Sequence, residues 1–190
     1  MSFRTPSSIL IVGPSGSGKT VFATKLLRKG NLYFKGGIPN IHYCYRIWQD
    51  GYLPLRKMGV KLHEGIPSSD DLDAMYGRTK GGYLVLDDLM EEGGKDKRVV
   101  DLFTKDSHHR NITVIYLCQD MFPPGKYAKT ISHNVHYIVA FKKPRDQLGF
   151  KNMILQAFPS HWRDVLEVYE RETSQPFGYL MLWFWLLNVT

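Results

Sequence analysis

Cysteine is scarce in this sequence, which has two, Cys44 and Cys118, among 190 residues. Two cysteines exclude the disulfide framework of a small secreted domain, and neither has neighbours with the spacing of metal ligands. Both lie in apolar runs that are typical of strands. We therefore expect two buried thiols in a reducing compartment.

Long apolar segments are also missing. No window approaches the ~20 consecutive apolar residues that a membrane-spanning helix needs. The opening segment Met1–Pro6 lacks the apolar core of a signal peptide. We expect an intracellular protein that is neither secreted nor inserted in a membrane. Because repeats, heptads and linkers are absent as well, we expect a single domain over residues 1–190.

The composition is that of a globular protein with a moderate excess of positive charge. Hydrophobic residues make up 43% and aromatic residues 13%, which is enough for a full core and excludes a disordered chain. Lys and Arg number 25 against 18 Asp and Glu, a formal net charge of +7. A polyanionic partner would suit this charge, but nucleotide-binding proteins are often basic for their ligand alone.

The most informative stretch is Gly13–Thr20, which fits G-x-x-x-x-G-K-[ST] and follows the apolar run Ile9–Val12. In this motif, glycines let backbone N–H groups point at phosphate oxygens. Lys19 would reach the β- and γ-phosphates, and the Thr20 hydroxyl would bind Mg²⁺. The alternative is a Gly/Ser-rich turn that binds nothing. The residues expected to bind ATP with Mg²⁺ are Gly13, Pro14, Ser15, Gly16, Ser17, Gly18, Lys19, Thr20 and Val21.

Strand-like and helix-like segments alternate along the chain, which predicts an α/β fold with a mainly parallel sheet covered on both faces. We expect a P-loop NTPase fold, a three-layer α/β/α sandwich of the additional-strand type with strand order 5-1-4-3-2. The predicted strands are Ser8–Val12, Ile41–Tyr45, Tyr83–Asp88, Ile112–Cys118 and Val135–Phe141, with a short one at Lys61–Glu64 and an apolar closing strand within 178–190.

Two adjacent acids, Asp87 and Asp88, follow the apolar run Tyr83–Leu86. They are expected at the carboxyl end of a central strand, where open α/β sheets bind their ligands. Asp87 would hold the Mg²⁺ shell, and Asp88 would orient or deprotonate the attacking water. The alternative is a pair of surface acids at a strand end.

Gln119 and Arg110 flank the strongest predicted strand, Ile112–Cys118. Gln119 is expected to act as a polar sensor of the γ-phosphate or the lytic water, because its strand should lie between those that carry Lys19 and Asp87. An ordinary polar residue leaving the sheet is the alternative. Arg110 is either an arginine finger that reaches a neighbour's γ-phosphate in a ring, or a surface arginine that caps a helix.

Two segments combine basic residues with turn-forming ones. The loop Met121–Thr130 mixes aromatic residues, prolines and lysines, as a DNA-facing loop of a translocase would, and Lys142–Asp146 adds a second basic cluster. Either segment contacts phosphates or is a solvated loop. The candidate DNA contacts are Lys126, Lys129, Lys142, Lys143 and Arg145.

Besides the phosphate loop and Gln119, five segments carry a resemblance to a known family: Leu84–Met90, Asp101–Lys105, Ser107–Ile112, Thr130–Asn134 and Lys143–Asp146. Together they resemble genome-packaging ATPases of the FtsK and HerA superfamily, above all those of Polinton-like (Maverick) elements and adenovirus-like animal viruses. The likeness extends roughly from Pro6 to Leu182. It implies an ATP-driven motor, a homo-oligomeric ring that moves double-stranded DNA into a capsid, contacts a capsid or portal component, and acts in the host nucleus or at the virion.

The end of the chain departs from this family. Its members continue with polar sequence after 178–182, whereas Trp183–Leu187 is apolar here, so we expect a buried final strand or an oligomer contact. Two other functions stay open. One is a small-molecule or nucleotide kinase of the P-loop class, although no segment resembles its arginine-rich lid. The other is an inactive nucleotide-binding relic.

Overall fold

A seven-stranded sheet forms the middle layer of the protein. The computed structural model describes residues 3–33, 40–77, 81–89, 95–121 and 125–184. The strands in these ranges are β1 (Ser8–Val12), β2 (Ile41–Tyr45), β3 (Lys61–Glu64), β4 (Gly82–Asp87), β5 (Ile112–Cys118), β6 (Tyr137–Phe141) and β7 (Tyr179–Trp183).

The strands are ordered β3-β2-β4-β5-β1-β6-β7. All neighbours are parallel except β6 and β7, which are antiparallel. The predicted order 5-1-4-3-2 is confirmed for the five principal strands, because β6, β1, β5, β4 and β2 follow one another in this way. Strand β5 therefore separates β1 from β4, and the short β3 and the antiparallel β7 form the two edges.

The helices connect these strands. Their bounds are α1 (Lys19–Arg28), α2 (Gly30–Tyr33), α3 (Leu53–Lys57) after a 3₁₀ turn at Asp50–Tyr52, α4 (Ser69–Tyr76), α5 (Lys97–Asp101), α6 (Ala128–His133), α7 (Gln147–Ala157) and α8 (Trp162–Glu172). Helix α5 continues through a π-helical turn, Leu102–Asp106, into a last turn at Ser107–His109. No helix in the described ranges is long and apolar enough to cross a bilayer.

Local capping sets where two of the helices begin. The segment Ser68–Asp71 has the sequence of a helix start and predicts a helix that includes Leu72–Met75. Helix α4 confirms this, and the Ser68 hydroxyl accepts a hydrogen bond from the Asp71 N–H at 3.1 Å. The apolar pattern of the sequence predicts a helix over Asn152–Phe158. Helix α7 covers nearly all of this range but begins earlier, at Gln147. The carboxylate of Asp146 accepts the Gly149 N–H at 3.0 Å, and this cap starts the helix earlier than the apolar pattern does.

Alternate residues of the sheet point into two separate cores. On β5, Val114, Tyr116 and Cys118 face one core, which α4 to α8 cover. Ile115 and Leu117 face the other core, which α1 and α3 cover. The whole of β5 is buried, as expected for a central parallel strand covered on both faces. The predicted three-layer α/β/α sandwich is therefore confirmed.

The predicted burial of the two thiols is confirmed as well. Cys44 and Cys118 are both buried and free. Burial raises the pKa of Cys44 to about 12. The predicted apolar closing strand is present as β7, which is an edge strand and not a fully buried one. Tyr179 and Trp183 at its ends are 42% and 37% exposed, and the rest of the apolar run, 185–190, lies outside the described residues.

Candidate functional site

The loops that leave β1, β4 and β5 lie together at the carboxyl ends of these parallel strands. Val12, the last residue of β1, lies opposite Cys118 of β5. Leu117 of β5 lies opposite Asp87, the last residue of β4. The phosphate loop, the acid pair and Gln119 therefore follow three adjacent strand ends, and the predicted position of β5 between the other two is confirmed.

The phosphate loop needs glycine at two positions for steric reasons. Gly18 precedes α1 with φ near +100°, a left-handed backbone that side chains disfavour. A Cβ atom on Gly13 would lie 2.7 Å from the Cβ of Phe141 on the neighbouring strand β6. Helix α1 has no acidic residue in its first turn, so the positive end of its dipole is not neutralised by the helix itself.

Lys19 is folded over the loop. Its Nζ donates to the carbonyl oxygens of Gly13 at 2.7 Å and Pro14 at 3.0 Å. Burial lowers the pKa of Lys19, and the charges of Asp87 and Asp88 oppose this shift. The ammonium group is thus held beside the loop backbone, where phosphate oxygens can replace its carbonyl acceptors.

Asp87 is the most buried carboxylate of the site, at 6% exposure. Its Oδ2 accepts hydrogen bonds from Thr20 Oγ1 at 3.3 Å, from the Tyr43 hydroxyl at 2.6 Å and from the Tyr52 hydroxyl at 3.2 Å. Burial raises the pKa of Asp87, while these hydroxyls and the charge of Lys19 lower it. The surrounding donors therefore counteract the cost of ionising a buried carboxyl group.

The two tyrosines are site residues that the sequence did not reveal. Both are fully buried, and burial raises the pKa of each, so that their hydroxyls stay protonated donors. From the sequence alone, Tyr43 in the predicted strand Ile41–Tyr45 is expected to be a packing residue. A tyrosine in an apolar strand could have indicated a buried acceptor nearby, because a buried tyrosine hydroxyl needs a hydrogen-bond partner. No such signal marks Tyr52, whose position depends on how residues 46–52 return to the sheet.

Asp88 and Gln119 occupy the places that the sequence predicts for them. Asp88 follows β4 with φ near +57°, a left-handed conformation that aspartate tolerates better than most residues and that is frequent at functional sites. Its charge acts on Lys19. Gln119 is exposed at the end of β5, between the loop and the acid pair. Its role as a sensor stays a prediction.

The donors at the loop fit a magnesium-bound nucleotide. Mg²⁺ prefers oxygen ligands and is usually held by one or two protein side chains together with phosphate oxygens and water. The hydroxyl of Thr20 and the carboxylate of Asp87 are 3.3 Å apart and form such a pair. In addition, the buried Oγ of Ser17 has no hydrogen-bond partner within the part of the chain that the structure describes.

Arg110 lies away from this group. It precedes β5 and is therefore at the amino ends of the parallel strands, opposite the phosphate loop. Its guanidinium donates to the carboxylates of Asp106 and Asp73, the latter at 3.0 Å, and to the Ser69 hydroxyl at 3.2 Å. The side chain is 14% exposed. Within one chain, Arg110 joins α4 to the end of the helical segment 97–109. A finger role toward a neighbouring subunit stays a prediction.

The candidate DNA-contacting residues differ in their surroundings. Lys143 donates to the carboxylates of Asp120 and Asp146, the latter at 3.2 Å, and so connects the loops after β5 and β6. The other four, Lys126, Lys129, Lys142 and Arg145, are exposed. Residues 122–124 of the predicted DNA-facing loop lie outside the described residues. The structure therefore leaves four of the five basic side chains accessible at the surface.

The sheet order, the phosphate loop leading into α1 and the acid at the end of β4 define a P-loop NTPase fold. Solved structures with this fold include the genome packaging NTPase B204 from Sulfolobus turreted icosahedral virus 2. Its sulfate complex has a TM-score of 0.63 at 12% identity, over 95% of this chain and 92% of that one. Its ATP-gammaS complex has a TM-score of 0.58 at 11% identity, over 94% and 93%.

B204 from Sulfolobus turreted icosahedral virus, described as a DNA-packaging ATPase, has a TM-score of 0.56 at 12% identity over 94% of this chain and 93% of that one. Identities this low establish a shared fold alone. No family model matches the chain, and no curated protein matches it in sequence.

We predict that Tyr43→Phe lowers the free energy of unfolding by about 1–3 kcal/mol at pH 7, because ionised Asp87 loses its shortest hydrogen bond. Losing a donor raises the folded-state pKa of Asp87 further. The penalty should therefore be complete where Asp87 is ionised and shrink as the pH falls through that pKa. Urea denaturation between pH 4 and pH 8 measures it. In an Asp87→Asn background the penalty should be smaller, and an equal penalty in both backgrounds would contradict the coupling.

We predict that Arg110→Ala lowers the free energy of unfolding by about 1–3 kcal/mol, because the half-buried Asp106 loses its charged partner. Lys105→Ala is the matched control. The Lys105 side chain is 66% exposed and lies 3.9 Å from Asp101, so its removal should change stability little. Equal effects of the two substitutions in urea denaturation would show that Arg110 does not stabilise this junction.

Proposed function

We propose that this protein is an ATPase that drives the packaging of double-stranded viral or transposon DNA into a capsid. The observation that carries the proposal is that Lys19, Thr20 and Asp87 lie together at the carboxyl ends of the central strands, with Asp88 in the adjoining loop. Fold similarity to packaging NTPases over more than nine-tenths of both chains supports the choice among P-loop enzymes. The sequence resemblance to Polinton-like and adenovirus-like ATPases supports the kind of genome.

In the proposed reaction, the loop N–H groups and Lys19 bind the β- and γ-phosphates. Thr20 and Asp87 would hold Mg²⁺, which neutralises charge on the phosphate oxygens when it is bound. Asp88 accepts a proton from the attacking water while the water oxygen forms a bond to the γ-phosphorus. The bond from that phosphorus to the β–γ bridging oxygen breaks, and ADP leaves with the oxygen. Gln119, exposed between the two loops, would contact the γ-phosphate or the water.

Force production requires neighbours and DNA in this proposal. A homo-oligomeric ring would surround the duplex and act with a capsid or portal component in the host nucleus or at the virion. Lys126, Lys129, Lys142 and Arg145 are exposed and suit phosphate contact, whereas Lys143 already has two carboxylate partners. Arg110 would have to break its ion pairs with Asp73 and Asp106 to reach the γ-phosphate of a neighbouring subunit. Unchanged ATP turnover by an Arg110→Ala oligomer would contradict that role.

We predict that Asp88→Asn retains ATP binding and loses turnover by about 100-fold or more, because the base is removed while the phosphate loop stays intact. Lys19→Ala should lose both affinity and turnover. Phosphate release with duplex DNA and calorimetric ATP binding measure the two properties. Asp164→Asn, at an exposed position of α8, is the control and should retain both.

Two results would contradict this assignment. Full turnover by Asp88→Asn would remove the aspartate from the reaction. Transfer of phosphate to a small acceptor without any response to duplex DNA would instead favour a kinase.

We predict that the double variant Lys126→Glu, Lys129→Glu weakens duplex binding. It should also reduce the slope of log affinity against log salt by about 2, because each phosphate contact contributes roughly 0.9. The control is Lys57→Glu, Lys61→Glu, which makes the same change of charge at exposed positions on α3 and β3. Equal losses in both double variants, measured by fluorescence anisotropy across a salt series, would show a general charge effect and no contact by the loop.

A further inference from the structure

A cleft of about 460 Å³ extends from the phosphate loop toward β7. Residues 14–17 of the loop form one wall, and Lys142 and the segment 173–178 form the other. Its volume lies in the range of small-molecule sites. If the loop holds a triphosphate, as the proposed function requires, then the ribose and base must leave the loop on some side. This cleft is continuous with it.

Phe177 is exposed at the wall of this cleft in an unusual conformation. Its φ is near +63°, in the left-handed region that bulky side chains rarely adopt. The side chain is 69% exposed, so core packing does not account for the strain. A Cβ atom built on Gly18 would lie 3.1 Å from Cδ1 of the Phe177 ring, which places the ring directly beside the start of α1. Backbone strain of this kind is frequent where a residue must meet a ligand.

The segment that carries Phe177 is anchored at both ends. The Thr173 hydroxyl donates to the Tyr169 carbonyl of α8 at 2.7 Å, and the Gly178 N–H donates to the Gln175 carbonyl at 3.0 Å. Strand β7 begins at the next residue, Tyr179. The backbone that carries the ring is therefore held in position before any ligand arrives, which reduces the ordering needed on binding.

A second cavity of about 510 Å³ lies beside the first and shares Phe177 as a lining residue. Its walls include Val21, Phe22 and Met181 together with the polar side chains of Lys25 and Lys29, and Gly18 is the residue of the phosphate loop among them. A nucleobase has polar edges that need hydrogen-bond partners. The cleft offers the side chains of Lys142 and Gln175 and adjoins the phosphate loop directly. Because four consecutive residues of the phosphate loop line the cleft, whereas the second cavity meets this loop at Gly18, the cleft is favoured as the place for the base.

We propose that the ring of Phe177 is the stacking surface for a purine base, and that Lys142 and the segment 173–178 form the base-binding part of the nucleotide site. This inference depends on the proposed function, because it assumes a triphosphate on the loop. Stacking of a base on an aromatic ring is strong and tolerates different bases. Adenine and guanine therefore share this surface, and the polar side chain of Gln175 is the element that distinguishes their edges.

The test compares ATP with inorganic tripolyphosphate, which has the phosphates without the base. Phe177→Ala should weaken ATP binding about tenfold, equivalent to about 1.4 kcal/mol, and leave tripolyphosphate binding unchanged. Phe177→Trp keeps an aromatic face and should retain ATP affinity. GTP should lose affinity in Phe177→Ala as ATP does, whereas Gln175→Ala should alter the ratio of ATP to GTP affinity.

Leu32→Ala is the control for loss of an exposed apolar side chain, since Leu32 is 72% exposed on α2. It should leave both affinities unchanged. ATP affinity that does not respond to Phe177→Ala would overturn the base site alone, and so would an equal loss of tripolyphosphate affinity. Wild-type protein that binds neither ligand would overturn the proposed function and the base site with it.

Discussion

The site depends on one buried charge, the carboxylate of Asp87 at the end of β4. At 6% exposure this group would be strongly disfavoured as an ion without compensation. Three hydroxyls donate to its Oδ2, and they come from α1, from β2 and from the turn after β2. The same interaction thus brings the phosphate-loop helix, a neighbouring strand and a surface turn to one atom. Each of these elements supplies a donor that favours the ionised form of Asp87 in the folded protein, so the fold and the chemistry of the site are linked.

The order of the strands makes this convergence possible. Because β5 lies between β1 and β4, the phosphate loop and the acid pair are separated by one strand width, and Gln119 emerges between them. A nucleotide on the loop would therefore meet side chains from three consecutive strand ends. Strand β6, on the other side of β1, brings Phe141 against Gly13, and the chain that leads into β7 brings Phe177 against Gly18. The two sides of the loop differ in chemistry: acids and an amide lie on one, aromatic rings on the other.

Two of the basic residues proposed for function, Arg110 and Lys143, form ion pairs within the chain. Arg110 joins α4 to the segment before β5, and Lys143 joins the loops after β5 and β6. A motor that used either side chain on a neighbour or on DNA would have to break these ion pairs during its cycle. Lys126, Lys129, Lys142 and Arg145 are exposed and have no ion pair to break within the described residues. The surface chemistry of the proposed motor therefore divides into residues that are available at once and residues that need a conformational change.

The sequence by itself determined the phosphate loop, the strand alternation and the positions of Asp87, Asp88 and Gln119, because motif spacing and apolar runs are local properties. It also predicted the order of the five principal strands. The start of α7 was missed, since the cap at Asp146 outweighs the apolar pattern. Only the tertiary structure brought Tyr43 and Tyr52 to Asp87, paired Arg110 with Asp73 and aligned Phe177 with Gly18. Those contacts join residues from different elements, and the path of the chain between them is not encoded in any local pattern.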